Sequence, residues 1–520
     1  MTGKGSINKQ SVSAVKWSAL GSIAQYGLSL AAQIILARLL GPENYGLFAM
    51  GLIVLTFSNF LSNFGFAWGL IQIQDLKIED IRFAFTWQLI SGSLVAVLLY
   101  VFAPEVADYF NEPRVDPIVR WLSLACIISA ITAPASNLLR RNLDFRWINI
   151  IQIISYSIGY LVIGIPLAYY GAGVWSLVAA WLVQALLTLI LSFIRHPHSI
   201  KPLFWYDGAK AMSGVGSTVF ITNLCNWALD NLDRIFLGRF LDSNAVGLYS
   251  VGYNLATTPN KLLTGALQPA FLTAGARFQS EPERLRYVFL PVLASVCVLI
   301  TPLFVLFAII ADDLVGFLYG EAWQSTAVVL AILALSMPAF IMWAMSTPIL
   351  WNTQGKHLES LLQLPILMFS GWALYVFAKQ GVLVVALIAA ATLGVRSLVI
   401  TTAACRRLKI GLQHLLPFFA RGWALTLLVA YGTFAGVELG EFASSAYFGG
   451  QLAMMVDGIA HVKLDLIVRI SQHLLPLMGG AFLGSGVFVL VLVRFPRLLG
   501  NQVLGMLARF SPRFIPKMQG

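Results

Sequence analysis

Polar and charged side chains recur at helical spacing inside one strongly apolar segment of the chain. In the segment TNLCNWALDNLDRIFLGRFL, residues 222–241, the polar members at this spacing are Asn223, Asn226, Asp230, Asp233 and Arg234. Because residues three or four apart lie on one face of a helix, the spacing predicts a single polar stripe. Amides and carboxylates can bind a polar ligand, and the carboxylate of Asp230 can also titrate. The stripe is therefore a candidate site for substrate binding or ion exchange.

The composition places this stripe inside a membrane protein. Of 520 residues, 58% are hydrophobic and only 11% are charged, whereas soluble domains are about half apolar and about a quarter charged. Apolar runs of about 20 residues are centred near residues 27, 57, 93, 128, 159, 184, 222, 260, 299, 338, 368, 392, 425 and 484. They predict an all-α integral membrane protein with about fourteen transmembrane helices. The longest gap between the runs, 438–472, is too short for a soluble catalytic domain, so we expect no enzymatic activity.

The net charge of +11 is distributed unevenly between alternate loops. With a cytoplasmic N-terminus, the inner loops and both tails hold 23 of the 34 lysines and arginines, and the outer loops hold 8. This asymmetry is typical of a membrane protein with both termini in the cytoplasm. The excess charge orients the protein and faces anionic lipid, so we expect no nucleic-acid partner.

Motifs for nucleotide hydrolysis and metal binding are absent from the sequence. Neither GxxxxGK[ST] nor HExxH occurs. The four cysteines, which follow no metal-binding or disulfide spacing, are Cys126, Cys225, Cys297 and Cys405. We expect no metal and no cofactor, and we interpret the cysteines as small buried apolar residues.

An internal repeat relates the two halves of the chain. Residues 36–61 align without a gap on residues 237–262, and nine of the 26 positions are identical, including the pairs Gly46/Gly247 and Arg38/Arg239. Six predicted spans separate the copies, an even number, so both copies should enter the membrane in the same direction. Such a parallel repeat is typical of transporters that bind their substrate between two helical bundles. Gene duplication without transport is the alternative explanation.

The repeat predicts three parts of the chain. Two parallel six-helix lobes, residues 1–205 and 206–410, should surround a central cavity. Residues 411–520 should add two further transmembrane helices, an interfacial amphipathic segment at 445–472 and a basic tail.

The first repeat copy carries a weaker, uncharged version of the polar stripe. Shifting the stripe back by 201 residues gives Gln25, Ser29 and Gln33 on the first span, and the same shift matches Asn260 to Asn59. A charge at the bilayer centre costs about 2.5–3.5 kcal/mol on insertion scales, so such groups normally face protein or water. We therefore expect both stripes to line the central cavity as a substrate or ion pathway.

Two interpretations of the stripe residues remain open. Asp233, Arg234 and Arg239 either face the cavity or lie at the outer membrane interface. In the second case Asp230 and Arg234 would form an i,i+4 pair. Asn223 and Asn226 either bind substrate or form hydrogen bonds between helices.

Basic residues inside later spans are the remaining candidates. Lys261 stands near the middle of the eighth span, where it cannot easily reach either membrane surface. It either faces the cavity and attracts a phosphate or an acidic sugar, or pairs with Asp230 or Asp233. Arg396 lies deep in the twelfth span and is a candidate for a similar role.

Four stretches of the sequence resemble the polysaccharide transporter (Wzx-like) family of the multidrug/oligosaccharidyl-lipid/polysaccharide exporter superfamily. They are ARLLGPENYGLFAM (37–50), FGFAWGLIQ (64–72), LLRRNLDFRWI (138–148) and LDNLDRIFLGRFLDSNAVGLYSVGYNLATTP (229–259). The resemblance extends over the first twelve spans and is weak over residues 411–520.

The resemblance implies a flippase with two six-helix lobes around a V-shaped cavity. The implied cargo is an undecaprenyl-diphosphate-linked oligosaccharide, moved from the cytoplasmic to the periplasmic leaflet of the bacterial inner membrane by alternating access. Such cargo serves the synthesis of exopolysaccharide, O-antigen (lipopolysaccharide) or capsule, with polysaccharide assembly machinery as an expected partner. The resemblance also implies that an H⁺ or Na⁺ gradient, and not ATP, drives transport.

Other function classes are weighed against the flippase. A multidrug or cation exporter of the same superfamily would favour acidic residues deep in the first lobe, and spans 1–6 have none at their centres. A membrane polysaccharide polymerase would be expected to carry a large extracytoplasmic loop or a soluble domain. A channel is disfavoured by the asymmetric halves and by the lack of a filter-like segment. The exporter is therefore the main alternative.

Overall fold

The fold is almost entirely helical. The computed structural model describes residues 3–62, 70–71, 73, 75–206, 217–277, 282–353, 355–411, 413, 415–455, 461–494 and 503. None of these described residues lies in a strand. The predicted all-α fold class is therefore confirmed.

The main helices follow one another with short connections. They are α1 (Gly3–Ser62), α2 (Ile78–Val101), α3 (Ala103–Phe110), α4 (Val115–Arg141), α5 (Phe145–Tyr169), α6 (Val174–Arg195), α7 (Ser217–Phe240) and α8 (Ser243–Arg277). The second series is α9 (282–309), α10 (Ala311–Tyr319), α11 (Thr326–Asn352), α12 (Lys356–Phe377), α13 (Val382–Arg407), α14 (Leu416–Met455) and α15 (His461–Arg494). Short π-helical turns interrupt α5 at Ser157–Gly164 and α9 at Val296–Ile300.

Within the described part of the chain, eleven helices are long and apolar enough to cross a membrane. Helix α1 contains two predicted spans, and it bends at Gly41 (φ 72°, ψ 172°) directly before Pro42. The positive φ favours glycine at this bend. Helices α7 and α8 occupy the positions of two further predicted spans but are more polar and are not among the eleven. The chain is therefore an integral membrane protein, and the number of fourteen spans stays a prediction.

The helices form two compact units, Met1–Ser250 and Val251–Gly520. Their boundary lies inside α8, so α7 and the first turns of α8 belong to the first unit. The boundary between the lobes predicted from the sequence lies earlier, between residues 205 and 206. The division into lobes stays a prediction.

One end of the first unit is held together by polar contacts between connecting segments. Arg82 donates hydrogen bonds to the backbone oxygens of Lys201 (3.1 Å) and Pro202 (3.0 Å). Asp144 pairs with Arg195 (2.7 Å). All of these segments follow even-numbered predicted spans, for which the charge distribution predicts a cytoplasmic location.

The segments that follow odd-numbered predicted spans contact one another in the same way. Arg114 pairs with Glu43 (2.7 Å) and Glu112 (2.8 Å), and the Asn44 side chain accepts a hydrogen bond from the backbone N–H of Val174 (3.0 Å). The hydrogen bond from Arg114 also lowers the pKa of the Glu112 carboxyl. The grouping of odd and even connections agrees with the predicted order of the spans in this unit.

The two repeat copies meet at a pair of matching glycines. A Cβ atom on Gly46 would collide with the backbone oxygen of Ser243, and a Cβ atom on Gly247 would collide with the backbone oxygen of Pro42. Ser243 is the repeat equivalent of Pro42, so the two contacts are reciprocal. Reciprocal contacts are typical of a local two-fold relation between the copies, and glycine allows the backbones to approach this closely.

Glycines also join the two C-terminal helices. Gly436 and Gly440 on α14 lie against the backbone of α15 at Gly479 and Pro476, where no space remains for a Cβ atom. Small residues at such positions let membrane helices pack through their backbones. The contact explains why α14 and α15 lie side by side.

The predicted interfacial segment 445–472 does not form a separate helix in the described residues. Residues 445–455 continue α14 and residues 461–472 begin α15, while residues 456–460 lie outside the described part. The location of this segment at the membrane surface stays a prediction, and the basic tail 495–520 lies almost wholly outside the described residues.

We expect Gly247→Ala to destabilise the protein and Gly265→Ala to leave its stability unchanged or slightly higher. Both glycines lie in α8, but a Cβ atom at Gly265 would meet nothing within 4 Å. Overpacking at Gly247 should cost about 1–3 kcal/mol, whereas alanine at an open helical position gains about 1 kcal/mol in helix propensity. Thermal unfolding of both variants in the same detergent measures the difference. Equal melting temperatures would contradict the close backbone contact.

Candidate functional site

Asp233 is buried in the first unit and is surrounded by hydrogen-bond donors. Its carboxylate accepts a hydrogen bond from the Tyr249 hydroxyl (2.5 Å) and another from the backbone N–H of Arg234 (2.7 Å). The Arg234 Nε atom lies 3.7 Å from the same carboxylate, and the Asp233 side chain is only 6% exposed. Because a buried carboxylate needs such partners, this arrangement makes Asp233 an anchor between α7 and α8.

The other stripe residues lie along the same helix and are less buried. Arg234 Nη2 donates a hydrogen bond to the backbone oxygen of Asp230 (2.5 Å), and the Asp230 side chain is partly exposed. Asn226 is also partly exposed, and Asn223 is exposed. The structure therefore brings Asp230, Asp233 and Arg234 together, with the two asparagines in earlier turns of α7.

Arg239 closes the end of α7 against α3. It donates hydrogen bonds to the backbone oxygens of Asp108 (3.1 Å) and Tyr109 (2.6 Å), and its guanidinium lies 5.4 Å from the centre of the Tyr109 ring. Burial raises the pKa of Tyr109, and the charge of Arg239 partly offsets this effect. Arg239 therefore acts at the end of α7 as a link between helices.

The stripe of the first copy lies on α1 and is uncharged. Gln25 and Ser29 are partly exposed, and the backbone oxygen of Ser29 accepts a hydrogen bond from Tyr156 (3.4 Å). The Gln33 amide nitrogen Nε2 is buried without a hydrogen-bond partner among the described residues. A buried donor of this kind can be satisfied by water or by a ligand, so Gln33 keeps its place as a candidate.

The candidates on α8 differ in exposure. Asn260 is completely buried and donates hydrogen bonds from Nδ2 to the backbone oxygen (3.2 Å) and the sulfur (2.9 Å) of Met337. This contact joins α8 to α11. Lys261, the next residue, is exposed, so its charge is not buried in the second unit.

A cavity of about 270 Å³ lies among three helices of the first unit. The polar part of its wall comes from α1, α4 and α6 and consists of Asn59, Ser129, Thr132, Ser136, Gln184 and Thr188. Trp181 and short apolar residues complete the wall, and none of the described residues that line it carries a charge. Hydroxyl and amide groups in this arrangement can bind an uncharged polar ligand.

A second cavity, of about 40 Å³, adjoins the first and shares Ser136 and Thr188 with it. Arg140, Gln152 and Ser192 add polar groups to its wall. Arg140 is exposed in the last turn of α4. The two cavities together are called the polar groove below, and the groove has a cation at one end and neutral groups at the other.

Glu359 is a completely buried carboxylate in the second unit. It accepts hydrogen bonds from Trp351 Nε1 (2.5 Å), Thr347 Oγ1 (3.1 Å) and Gln363 Nε2 (3.2 Å). Thr347 and Trp351 lie on α11, and Gln363 lies one turn further along α12. Three donors compensate for the water that the carboxylate loses on burial.

Arg396 lies near the same carboxylate. It is 1% exposed, its guanidinium carbon lies 3.6 Å from the centre of the Trp343 ring, and its charge interacts with that of Glu359. The Trp343 Nε1 and Gln363 Oε1 atoms are buried without hydrogen-bond partners among the described residues. Glu359, Arg396 and the side chains that contact them form a buried charge cluster.

Sequence reasoning identified Arg396 but missed Glu359 and most of the polar groove. Ser129, Thr132, Ser136 and Arg140 follow spacings of three and four residues, which is the signal that identified the stripe on α7. Glu359 stands near the beginning of a predicted span, where a carboxylate commonly lies at the membrane interface, so its position in the sequence does not indicate burial. Its burial depends on contacts with α11 and α13, which the sequence does not give.

Two bacterial polysaccharide biosynthesis proteins resemble this chain over more than three fifths of its length. The lipopolysaccharide biosynthesis protein WzxC of Escherichia coli (strain K12) is 24% identical over 336 residues, which are 64% of this chain and 67% of WzxC. The succinoglycan biosynthesis transport protein ExoT of Rhizobium meliloti (strain 1021) is 28% identical over 323 residues, which are 62% of this chain and 65% of ExoT. The similarity thus spans about two thirds of the length of each relative.

A comparison with solved structures and a comparison with protein families give results that agree with these two relatives. The structure is similar to that of the lipid II flippase MurJ in an inward closed conformation, with a TM-score of 0.61 and 13% identity, over 89% of this chain and 98% of MurJ. Residues 35–328, more than half of the chain, match the family described as polysaccharide biosynthesis protein. The resemblance predicted from the sequence is thereby confirmed. The chain belongs to the polysaccharide biosynthesis protein family.

Proposed function

We propose that this protein flips an undecaprenyl-diphosphate-linked oligosaccharide from the cytoplasmic to the periplasmic leaflet of the bacterial inner membrane. Membership of the polysaccharide biosynthesis protein family supports the proposal, as do the names of WzxC and ExoT. The fold likeness to a lipid II flippase agrees with it. The oligosaccharide would be a repeat unit of an exopolysaccharide, O-antigen or capsule, delivered to the polysaccharide assembly machinery.

The observation that carries the proposal is the neutral cavity lined by hydroxyls and amides among α1, α4 and α6. The hydroxyl groups of a sugar lose their water in hydrocarbon and need hydrogen-bond partners to cross the membrane. A polar cavity among membrane helices supplies such partners. A lipophilic cation would find no charge to compensate its own among the described lining residues, so the cavity favours a glycan over the cargo of a multidrug exporter.

We assign the substrate and ion pathway to the stripe residues predicted from the sequence. Asp230, Asn226 and the exposed Lys261 are the polar groups in the second copy, and Gln25 and Gln33 are those in the first. Amides can exchange hydrogen bonds with sugar hydroxyls, and the lysine can neutralise a phosphate. In this proposal both termini are cytoplasmic and transport proceeds by alternating access.

The buried charge cluster is our candidate for coupling to an ion gradient. Uptake of a proton by Glu359 would neutralise the carboxylate and remove the negative charge that interacts with the buried guanidinium of Arg396. Because the balance of buried charge then changes, the two protonation states should favour different packing of α11, α12 and α13. Such a difference between two states is what coupling requires.

Asp230→Ala and Lys261→Ala should each abolish polysaccharide export in a strain that lacks the chromosomal gene. Both changes remove a charged group of the proposed pathway while leaving the apolar surface of the helices intact. The amount of polymer in the medium and the amount of protein in the membrane fraction are measured for each variant. Asp75→Ala and Lys379→Ala, which change exposed residues of the same types, are the matched controls. Normal polymer output from both pathway variants would remove the stripe from the mechanism.

Glu359→Gln should lower the amount of folded protein, because it removes the negative charge that interacts with the buried Arg396 guanidinium, a loss on the order of a few kcal/mol. The double variant Glu359→Gln/Arg396→Met removes both charges and should recover most of the stability. If the cluster couples transport to an ion gradient, the double variant should still export less than a tenth of the normal polymer. Membrane immunoblots and polymer assays separate the two effects. Normal export by the double variant would limit the cluster to a structural role.

A further inference from the structure

We propose that the polar groove in the first unit is a two-part binding site for the head of the lipid-linked oligosaccharide. Arg140 at one end takes the diphosphate, and the neutral end at Asn59 and Gln184 takes the sugar attached to it. The inference rests on the proposed function and adds to it the order in which the parts of the cargo lie along the groove.

A row of polar residues runs along α4. Ser129, Thr132, Ser136 and Arg140 lie on one face of this helix and all line the groove. With a rise of about 1.5 Å per residue, Ser129 and Arg140 are separated by about 16 Å along the axis. A diphosphate followed by a sugar can extend over such a distance. The row therefore offers hydroxyl groups and a cation to successive parts of one ligand.

The walls of the groove on α4 and α6 present hydrogen-bond acceptors and one side-chain amide. Thr188 Oγ1 donates its proton to the backbone oxygen of Gln184 (2.8 Å), and Thr132 on α4 donates to that of Ile128 (2.6 Å). Each hydroxyl thus has its donor in use and its lone pairs available as acceptors. The Gln184 amide offers donors and an acceptor. Sugar hydroxyls both donate and accept, so they match this combination of groups.

Close packing of α5 against α6 holds the neutral end of the groove. Gly159 in the π-helical turn of α5 lies so close to α6 that a Cβ atom there would be 3.0 Å from the Gln184 Cβ atom. This approach fixes the backbone and the Cβ atom of Gln184 on the wall of the cavity. An amide whose attachment point is fixed needs less ordering on binding than one on a mobile segment.

The two ends of the groove differ in charge and in size. A guanidinium presents five N–H donors that match phosphate oxygens, and Arg140 is the charged member of the groove among its described lining residues. The larger cavity, of about 270 Å³, lies just below the range of about 300–1,000 Å³ for drug-sized ligands. It therefore has room for a sugar ring and not for a whole repeat unit. We therefore expect the groove to bind selectively according to the sugar that is attached directly to the diphosphate.

Binding of defined lipids to the purified full-length protein in nanodiscs tests this assignment. The probes are undecaprenyl diphosphate and the same lipid carrying one galactose or one N-acetylglucosamine. Arg140→Gln should weaken binding of every probe about tenfold, because a charge-assisted contact to phosphate is lost. The double variant Gln184→Leu/Thr132→Val changes residues that line only the larger cavity. It should weaken only the preferred sugar-bearing probe about tenfold and should leave undecaprenyl diphosphate unchanged.

Two matched controls should bind all probes like the wild type. Arg146→Gln removes another exposed arginine near α4 that does not line the groove. Thr353→Val removes a hydroxyl that also donates to a backbone oxygen at 2.8 Å, but in the second unit. Melting temperatures check folding, and Arg140→Lys serves if Arg140→Gln does not fold, with a smaller loss expected for every probe.

The outcomes separate this inference from the proposed function. The two-part site would be overturned by unchanged binding of the groove variants or by a wild type that shows no preference for a sugar. It would also be overturned if Gln184→Leu/Thr132→Val lost equal affinity for probes with and without sugar. The protein could then still be a flippase with its site elsewhere. Failure of the wild type to bind any of the lipids would count against the proposed function itself.

Discussion

Hydrocarbon offers no hydrogen bonds, so every polar group inside the membrane must find a partner in the protein, in water or in a ligand. The buried polar residues of this chain divide accordingly. Asp233 and Asn260 have partners on neighbouring helices and hold those helices together. The hydroxyls and amides of the polar groove instead line a cavity, where a ligand can complete their hydrogen bonds. This difference separates structural polar groups from those available for function.

The internal repeat preserves backbone contacts and changes the chemistry around them. Gly46 and Gly247 make reciprocal contacts, as a local two-fold relation requires. The buried pair Asp233 and Tyr249 corresponds in the first copy to Ala32 and Phe48, which carry no comparable polar groups. With the polar groove in the first unit and a buried charge cluster in the second, the two units are suited to different tasks. We propose glycan binding for the first and ion coupling for the second.

The sequence predicts the helices of this fold well because each membrane span is a local apolar run, and it identified the stripe on α7 because helical spacing is local too. The partners of polar groups come from distant parts of the chain and could not be predicted. Nothing in the sequence around Asp233 distinguishes burial against Tyr249 from a position facing a cavity, and nothing around Glu359 indicates its contacts with Thr347 and Trp351. In the described residues the segment 445–472 forms the end of α14 and the beginning of α15, and its location at the membrane surface stays a prediction.

The movement of cargo between leaflets is the most direct test of the central claim. The purified protein is reconstituted into liposomes that contain a fluorescent undecaprenyl-diphosphate-linked oligosaccharide, and the fraction accessible to an added membrane-impermeant quencher is followed after an H⁺ or Na⁺ gradient is imposed. A flippase should equilibrate or concentrate the labelled lipid across the bilayer within minutes, and faster with the gradient than without it. A leaflet distribution that stays the same as in protein-free liposomes, with or without either gradient, would contradict the proposed function.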